Sequence, residues 1–577
     1  MDYMEKYNRW LEDESIDAKT KNELLEIKDN KREIEDRFYK DLEFGTGGLR
    51  GIIGAGSNRM NIYTVGIATQ GLANYIRKLG PEMKAKGVAI AYDSRNYSYE
   101  FAKEVALVLN GNGIKTHLFN ELKTTPELSF AVRYLGCVGG VVVTASHNPA
   151  NYNGYKVYSH AGMQLGLEDS EELIKEVKKI QDFSSIKKKD MEEAVKEGLF
   201  TIISKDVEDS FMDSVKTQSI HRDIIKKVSS DFKIVYTPLH GTGNKAVQRI
   251  LREVGFENIF VVPEQAMPDG DFPTVKYPNP EEKAAFTLAL ELADREDANV
   301  IIATDPDCDR AGVVFKNKQG EYILLNGNQT GALLTEYVLS SQKDRGILPR
   351  NGALIKTIVT SELGAEIAKF YGVEVFNTLT GFKFIGELVE DFVNNNKNKF
   401  ILGFEESYGY LVGDHVREKD AVVASMLVAE MTAYYYQRGM TLDEALESIY
   451  KKYGYYLEEL RSITLEGKAG MVQIDRILSY FRENCPSKWQ GKSVMYIEDY
   501  LEQKQYNKLS NDVKPLELPK SNVLKFILED NSWFCIRPSG TEPKVKFYFS
   551  VIGNSMDNAK KKSKALIKEV MKTINEI

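Results

Sequence analysis

The chain has 577 residues, 42% of them hydrophobic and 28% charged; this is ordinary globular composition and excludes wholesale disorder. At roughly 150 residues per domain, such a length corresponds to about four domains. Lys and Arg number 76 against 84 Asp and Glu, a net charge of −8, so the basic footprint of a nucleic-acid binder is missing, with room only for a local cationic pocket.

Residues 14–40 are mostly charged, with Leu, Ile and Phe at helical spacing, and predict one exposed N-terminal helix. The glycine-rich stretch Phe44-Gly-Thr-Gly-Gly-Leu-Arg-Gly51 comes next. It lacks the Gly-Lys-Ser/Thr of a Walker A loop, and Arg50 stands where Gly-x-Gly-x-x-Gly needs its third glycine. It predicts either a flexible loop offering N–H groups and a guanidinium to an anion, or a structural glycine turn. Asn61 caps a predicted helix that runs to Lys78 and closes at Gly80. Strands at 88–92, 116–119 and 138–144 then alternate with helices at 98–109 and 125–134, the signature of a parallel α/β sheet.

The rhythm returns twice. A strand at 232–236 leads through His240-Gly-Thr-Gly243 into a helix, and 299–303 is a strand after another helix. A third round has strands at 353–358, 373–376 and 399–403, and the tail has antiparallel-type strands near 459, 524, 534 and 546 before a Lys-rich closing helix. Polar stretches at 187–197 and 218–229 suggest the first boundary. The expected fold class is α/β: three doubly wound α/β modules plus a C-terminal α+β domain around a central cleft. The expected domains are 1–210, 211–325, 326–450 and 451–577.

No apolar run approaches a membrane span; 138–143 is strand-sized. The opening Met-Asp-Tyr-Met-Glu-Lys lacks the layout of a signal peptide. The four cysteines are scattered, without a Cys-x-x-Cys pair, which fits a reduced compartment. The expected location is the cytoplasm, with no membrane and no nucleic-acid partner.

Ligands in open α/β sheets bind beyond the carboxyl ends of the strands. Three polar stretches stand at such ends: Thr144-Ala-Ser-His-Asn-Pro149, Ala303-Thr-Asp-Pro-Asp-Cys-Asp-Arg310 and Gly403-Phe-Glu-Glu-Ser-Tyr-Gly409. In an extended segment Asp305, Asp307 and Asp309 project to one side. Three converging carboxylates repel one another unless a cation joins them, and all-oxygen ligation suits Mg²⁺ or Mn²⁺. A calcium EF-hand fails, because Arg310 stands at the sixth loop position and Lys316 at the twelfth. A solvated acidic turn is the plain alternative. Ser146 is a turn or capping residue, or a phosphorylatable hydroxyl beside that cation. It does not resemble a hydrolase nucleophile: Gly-x-Ser-x-Gly is absent, and in an extended segment the neighbouring His147 diverges from it. Arg537-Pro-Ser-Gly-Thr-Glu-Pro-Lys544 offers the donors a doubly charged phosphate needs, or forms a polar hairpin.

Thr-Ala-Ser-His-Asn-Pro (144–149), Asp-Pro-Asp-Cys-Asp-Arg (305–310), Gly-Phe-Glu-Glu-Ser (403–407) and Arg-Pro-Ser-Gly-Thr-Glu-Pro (537–543) occur in this order, one per module. From about Phe44 to Gly553 the chain resembles the α-D-phosphohexomutase superfamily. Thr380-Gly-Phe-Lys383, Tyr408-Gly-Tyr410 and the length are similar to its phosphoglucomutase-2-like branch, which includes glucose and pentose phosphate mutases. The resemblance implies a four-domain enzyme with Ser146 as phosphoserine, and Ser146, Asp305, Asp307 and Asp309 holding one Mg²⁺. It implies Arg50, His147, Lys156 and Arg310 at the reaction centre, with His147 or Lys156 as proton shuttle. Glu405 and Ser407 would take sugar hydroxyls, with Lys383 and Lys419 contacting substrate. Arg537, Ser539, Gly540 and Thr541 would take the non-reacting phosphate.

The implied activity is interconversion of α-D-glucose 1-phosphate and glucose 6-phosphate, an isomerase reaction passing through glucose 1,6-bisphosphate. That intermediate turns end over end and also serves as activator. Phosphopentomutase and phosphomannomutase share this mechanism and stay open, as do a metal-dependent phosphatase and a non-catalytic sugar-phosphate binding protein on the same fold. The expected partner is a small sugar phosphate, and the expected state a monomer or weak dimer.

Overall fold

The computed structural model describes residues 2–45, 47–465, 467–538 and 544–577, with backbone alone at 467–469. The chain forms two compact units. The first runs to Gly327 and takes in Phe382–Gly403 and Ser407–Thr441; the second comprises Asn328–Gly381, Phe404–Glu406 and Leu442–Ile577.

The first unit opens with helices Tyr3–Glu12, Ala18–Glu26 and Lys31–Phe38, and the side chains of Asp2, Asp17 and Asn30 cap their first turns. The single exposed helix expected at 14–40 is thereby corrected. Asp17 and Asn30 restart the chain, and Tyr7, Trp10, Leu24, Ile34 and Phe38 form a small core with Ala55 and Tyr63.

A six-stranded sheet comes after them, built from β1 (Leu49–Ile52), β2 (Val88–Tyr92), β3 (Thr116–Leu118), β4 (Gly139–Val143), β5 (Tyr152–Ser159) and β6 (Phe200–Ile202). Its order is β1-β5-β4-β2-β3-β6. The two-residue period of a strand divides its side chains between two layers. Val88 and Ile90 pack with helices Ile62–Lys78 and Ser98–Gly111, whereas Ala89 and Ala91 pack with helix Thr125–Tyr134. The expected parallel sheet is mixed, because β5 runs antiparallel to both β4 and β1. A parallel crossover needs a dozen or more residues, and the link from Val143 to Tyr152 is shorter.

The second sheet has the same logic. It contains β7 (Lys233–Thr237), β8 (Asn258–Val261), β9 (Val300–Thr304), β10 (Ala311–Lys316) and β11 (Tyr322–Leu325), in the order β11-β10-β9-β7-β8. β7, β8 and β9 are parallel, and β9 turns straight back into antiparallel β10.

In the second unit β12 (Gly352–Thr357) and β13 (Glu374–Thr378) pair in parallel. β14 (Lys399–Glu405), of which only Phe404 and Glu405 belong to this unit, and β15 (Gly409–Val412), which belongs to the first unit, come next along the chain, separated by the turn at 406–408. The C-terminal part is antiparallel: β16 (Tyr455–Thr464), β17 (Lys488–Trp489), β18 (Lys492–Asp499), β19 (Lys504–Asn507), β20 (Val513–Pro515), β21 (Leu524–Leu528), β22 (Trp533–Pro538) and β23 (Lys544–Gly553). Their order is β16-β23-β22-β21-β18-β19-β20, with β17 on β18. Helices Gly467–Glu483 and Met556–Glu576 bury Ile477, Phe481, Leu566 and Val570 against Phe526, Phe534 and Phe547, the expected α+β arrangement. Among the described residues no helix is long and apolar enough to cross a membrane.

Candidate active site

Ser146 lies in the link that reverses the chain between β4 and β5. It is buried, with φ 51 in the left-handed region, so the turn needs support from its surroundings. Its N–H donates to Thr144 Oγ1 at 2.8 Å, and that hydroxyl donates to Asp93 Oδ2 at 2.6 Å. Arg95 clamps the loop from behind. Its Nη1 donates to the carbonyls of Pro149 (2.7 Å) and Tyr152 (3.0 Å), and its Nη2 to those of Ser146 (2.5 Å) and Asn148. Arg95 Nε lies 3.4 Å from Asp93, and the guanidinium sits over the Phe272 ring at 4.9 Å. Burial pulls the Arg95 pKa down to about 10 against the pull of Asp93, which leaves it charged at neutral pH.

Sequence reasoning missed Asp93 and Arg95, although the rule that singled out Ser146 also covers them: both lie just past the carboxyl end of β2. The left-handed turn also corrects the expected divergence of Ser146 and His147. The Ser146 Oγ lies 3.2 Å from His147 Nδ1. Burial, reinforced by the charges of Arg310 and Arg50, holds His147 well below the ordinary histidine range and keeps it neutral.

The three aspartates occupy the hairpin between β9 and β10. They converge because 305–308 form a tight turn in which Cys308 takes φ 54; the extended segment expected from the sequence is corrected. Asp305 Oδ1 accepts the N–H groups of Asp309 (3.1 Å) and Arg310 (3.0 Å), and Asp305 Oδ2 accepts the Ser146 hydroxyl at 2.6 Å. Asp307 Oδ2 takes Lys156 Nζ at 2.9 Å and Thr125 Oγ1 at 3.1 Å. Lys419 Nζ lies 3.1 Å from Asp309 Oδ2 and 2.9 Å from Glu418 Oε1. Burial, with the charges of Asp307 and Asp309, pushes the Asp305 carboxyl well up. Burial also opposes ionisation of Asp307, but Lys156, a hydrogen bond with Asp305 and the charge of Lys419 together outweigh it and hold that carboxyl down.

One carboxylate oxygen from each aspartate lies within 4.8 Å of the others. Asp307 Oδ1 and Asp309 Oδ1 are buried and accept no hydrogen bond. Buried, unsatisfied, all-oxygen donors fit a hard divalent cation, so the trio can hold a metal ion.

Two arginines complete this centre. Arg50 stands in β1 opposite Gly154 and donates to Asn148 Oδ1 at 3.1 Å. It therefore projects from a paired strand, and the flexible loop expected up to Gly51 is corrected. Gly48, at φ +94, has its side-chain direction blocked by the Tyr155 carbonyl, so the structural-turn alternative accounts for that glycine. Arg310 Nη1 donates to Glu281 Oε1, and its Nε lies 3.8 Å from Asp309. Lys156, Lys419, Arg50 and Arg310 thus stand with the aspartate trio around one serine, an arrangement suited to handling a phosphoryl group rather than to a Ser-His-Asp hydrolase.

Lys383 lies in the first turn of helix Phe382–Asn395 in the same unit, and its neighbour Phe382 faces Lys419 Nζ at 5.6 Å. Ser407 stands in the turn between β14 and β15, where the Tyr408 carbonyl accepts the N–H of Ala311 at 3.1 Å. Glu405 and Arg537 belong to the second unit. Glu405 Oε1 accepts the Gly381 N–H at 2.8 Å, and Arg537, opposite Lys546, reaches Tyr548 OH at 3.5 Å. Ser539, Gly540 and Thr541 lie outside the described residues.

Known proteins carry the same organisation. The chain is 39% identical to a phosphoglucomutase of Staphylococcus saprophyticus, over 90% of its own length and 92% of that protein. It is 38% identical to a phosphoglucomutase of Staphylococcus aureus strain MRSA252, over 93% and 94%. Among solved structures, a protein of Thermus thermophilus described as a phosphomannomutase aligns with TM-score 0.67 at 21% identity over 93% of this chain and 99% of that one. The Paramecium phosphoglucomutase parafusin gives 0.68 at 19%, over 93% and 95%; at these identities the likeness concerns the fold alone. Family models for phosphoglucomutase/phosphomannomutase α/β/α domains I, II and III and the C-terminal domain match residues 41–183, 209–320, 326–453 and 491–551. With all four domains present in order, the chain belongs to the phosphoglucomutase/phosphomannomutase family.

Proposed function

We propose that this protein is a phosphoglucomutase that interconverts α-D-glucose 1-phosphate and glucose 6-phosphate through a phosphorylated Ser146 and a glucose 1,6-bisphosphate intermediate. The observation that carries the reading is the Ser146 hydroxyl donating to Asp305 at 2.6 Å inside a buried carboxylate trio, in a chain whose curated relatives are named phosphoglucomutase. Asp305, Asp307 and Asp309, with an oxygen at Ser146, would hold one Mg²⁺. Bound there, the ion would supply positive charge to offset that of the phosphoryl group.

The remaining chemistry belongs to the chain. Asp93 and Arg95 fix the serine turn. Lys156, Lys419, Arg310 and Arg50 supply the fixed positive charge that a loose phosphoryl transfer requires. In the forward step the bond between Ser146 Oγ and phosphorus breaks, and a bond from phosphorus to the free sugar hydroxyl forms. The sugar hydroxyl proton passes to His147, which its surroundings keep neutral, and His147, 3.2 Å from Ser146 Oγ, returns a proton to that oxygen as it leaves phosphorus. Lys156 is paired with Asp307, so its role is charge balance rather than proton acceptance. The bisphosphate then turns, and Ser146 takes back its other phosphoryl group. Glu405 and Ser407 would grip sugar hydroxyls and Arg537 the phosphate that is not reacting. Lys383 would add a further contact to substrate. The reaction needs no membrane, and we place the enzyme in the cytoplasm.

The test is an assay of purified protein on α-glucose 1-phosphate, α-mannose 1-phosphate and ribose 1-phosphate, each with a trace of the hexose bisphosphate, alongside intact-protein mass spectrometry. We expect glucose 1-phosphate to be preferred and one phosphate to reside on Ser146. Ser146→Ala should fold normally and lose sustained turnover. A Ser146→Ala variant at wild-type rate overturns the assignment, and release of inorganic phosphate faster than isomerised product would make the protein a phosphatase instead.

A further inference from the structure

The second unit contains a buried polar cluster that the reaction centre does not use. It is built on residues 357–362, at the carboxyl end of β12 and just beyond it. On one side, Thr360 Oγ1 donates to Glu406 Oε2 at 2.9 Å, and Thr357 Oγ1 lies 3.3 Å from the same oxygen. Glu406 is the residue directly after Glu405, which ends β14. On the other side, Ser361 Oγ donates to Glu458 Oε1 at 2.6 Å, and Ser550 Oγ donates to that oxygen at 3.2 Å. Glu458 and Ser550 face each other across β16 and β23, and β23 pairs with β22, which carries Arg537.

Two buried lysines lock the segment in place. Lys356 Nζ donates to the carbonyls of Thr357 (3.3 Å) and Thr360 (3.2 Å) and to Glu362 Oε1 (2.9 Å). Lys525, from β21, donates to the Ile358 carbonyl at 2.8 Å, lies 3.7 Å from Glu362 and sits over the Trp533 ring at 4.3 Å. A buried ionic cluster contributes little net stability compared with apolar packing, yet each partner is costly to orphan. Such a cluster is suited to fixing a distance. Here it joins the end of β14, where Glu405 stands, to the sheet that presents Arg537.

We propose that Ser361 and Glu458 are positioning residues that set Glu405 against Arg537, so that the apparent affinity for a sugar phosphate depends on this tie. The proposal rests on the mutase reading of Glu405 and Arg537. A supporting feature is the Glu458 carboxyl. Packing around it pushes its pKa up to about 7, opposed by the hydroxyls of Ser361 and Ser550 and reinforced by Glu362. Lys356, Tyr450 and Tyr456 also feel its charge. As pH rises through about 7, Glu458 gains a negative charge beside Glu362, faced by Lys356, and that added negative charge opposes the docking of an anionic substrate.

The test uses full-length wild type, Ser361→Ala, Ser361→Thr and Glu458→Gln, with calorimetric binding of glucose 6-phosphate and steady-state turnover of glucose 1-phosphate. A hydrogen bond to a charged or acidic partner is worth enough that Ser361→Ala should weaken Kd and raise KM about tenfold. Turnover at saturation should stay within about twofold of wild type, and Ser361→Thr should restore most of the affinity. The ratio of wild-type KM to that of Glu458→Gln should climb as pH rises through 7. An unchanged Kd in Ser361→Ala, or a loss fully accounted for by a smaller folded fraction, overturns the proposal. Wild type that binds glucose 6-phosphate but turns nothing over defeats the mutase reading alone, and Kd then decides the tie. Wild type that binds no sugar phosphate defeats both.

Discussion

Replacing Arg95 by lysine tests whether the serine turn is held from behind. The substitution keeps the positive charge, so Asp93 is not left alone in a buried site, and any effect reports lost geometry. Arginine now serves four carbonyls, those of Ser146, Asn148, Pro149 and Tyr152. A single ammonium on a flexible stem cannot reproduce that planar fork. If two of the four bonds are lost, at roughly 1.5–3 kcal/mol for a charged donor, the fold should be destabilised by about 3–6 kcal/mol. In urea melts this appears as a lower midpoint at unchanged slope. The Ser146 oxygen would also lose its fixed position relative to Asp305, and displacement on the scale of 1 Å costs on the order of 10² in rate. Saturating turnover should fall accordingly, with KM changed little. Stability within about 1 kcal/mol of wild type together with a kcat within about twofold would refute the clamp, since neither the lost fork nor the displaced oxygen would then be felt.

Arg537→Ala should raise KM for glucose 1-phosphate by one to two orders of magnitude, roughly the worth of a charge-assisted phosphate contact; an unchanged kcat/KM would remove Arg537 from the site. Prolonged chelation should abolish turnover and Mg²⁺ should restore it, while far-ultraviolet circular dichroism stays constant; full activity after verified metal removal would show that the aspartate trio works without an ion. Trp10 packs edge-on against Phe38, Tyr63 and Phe183 at 5.7, 5.6 and 5.3 Å, so Trp10→Ala should cost about 3–5 kcal/mol. Limited proteolysis should then cut first within residues 3–38, and a wild-type digestion pattern would contradict the packing.

The α/β character of the chain, the chemistry-bearing turns and their order were legible in the residues alone. Runs such as Val88-Ala-Ile-Ala-Tyr92 carry their strand propensity locally, and the polar residues after them fall at strand ends whatever the packing. Local pattern also placed the helix at Thr125–Tyr134, whose capping box is written in Thr124 and Glu127. What lay beyond reach was decided by partners distant in sequence. The direction of β5 results from a link too short to cross over, and the convergence of the three aspartates from a left-handed Cys308 rather than from strand periodicity. Asp93 and Arg95 gained their role only when β2 and β4 became neighbours, because a buried charge means little until the carbonyls it serves are known. The N-terminal residues read as one exposed helix for the same reason: their sparse apolar side chains find one another, Ala55 and Tyr63 only when the chain restarts twice and folds back. Periodicity describes what a segment does alone, whereas burial, ion pairing and backbone strain are settled by what the rest of the molecule brings to it.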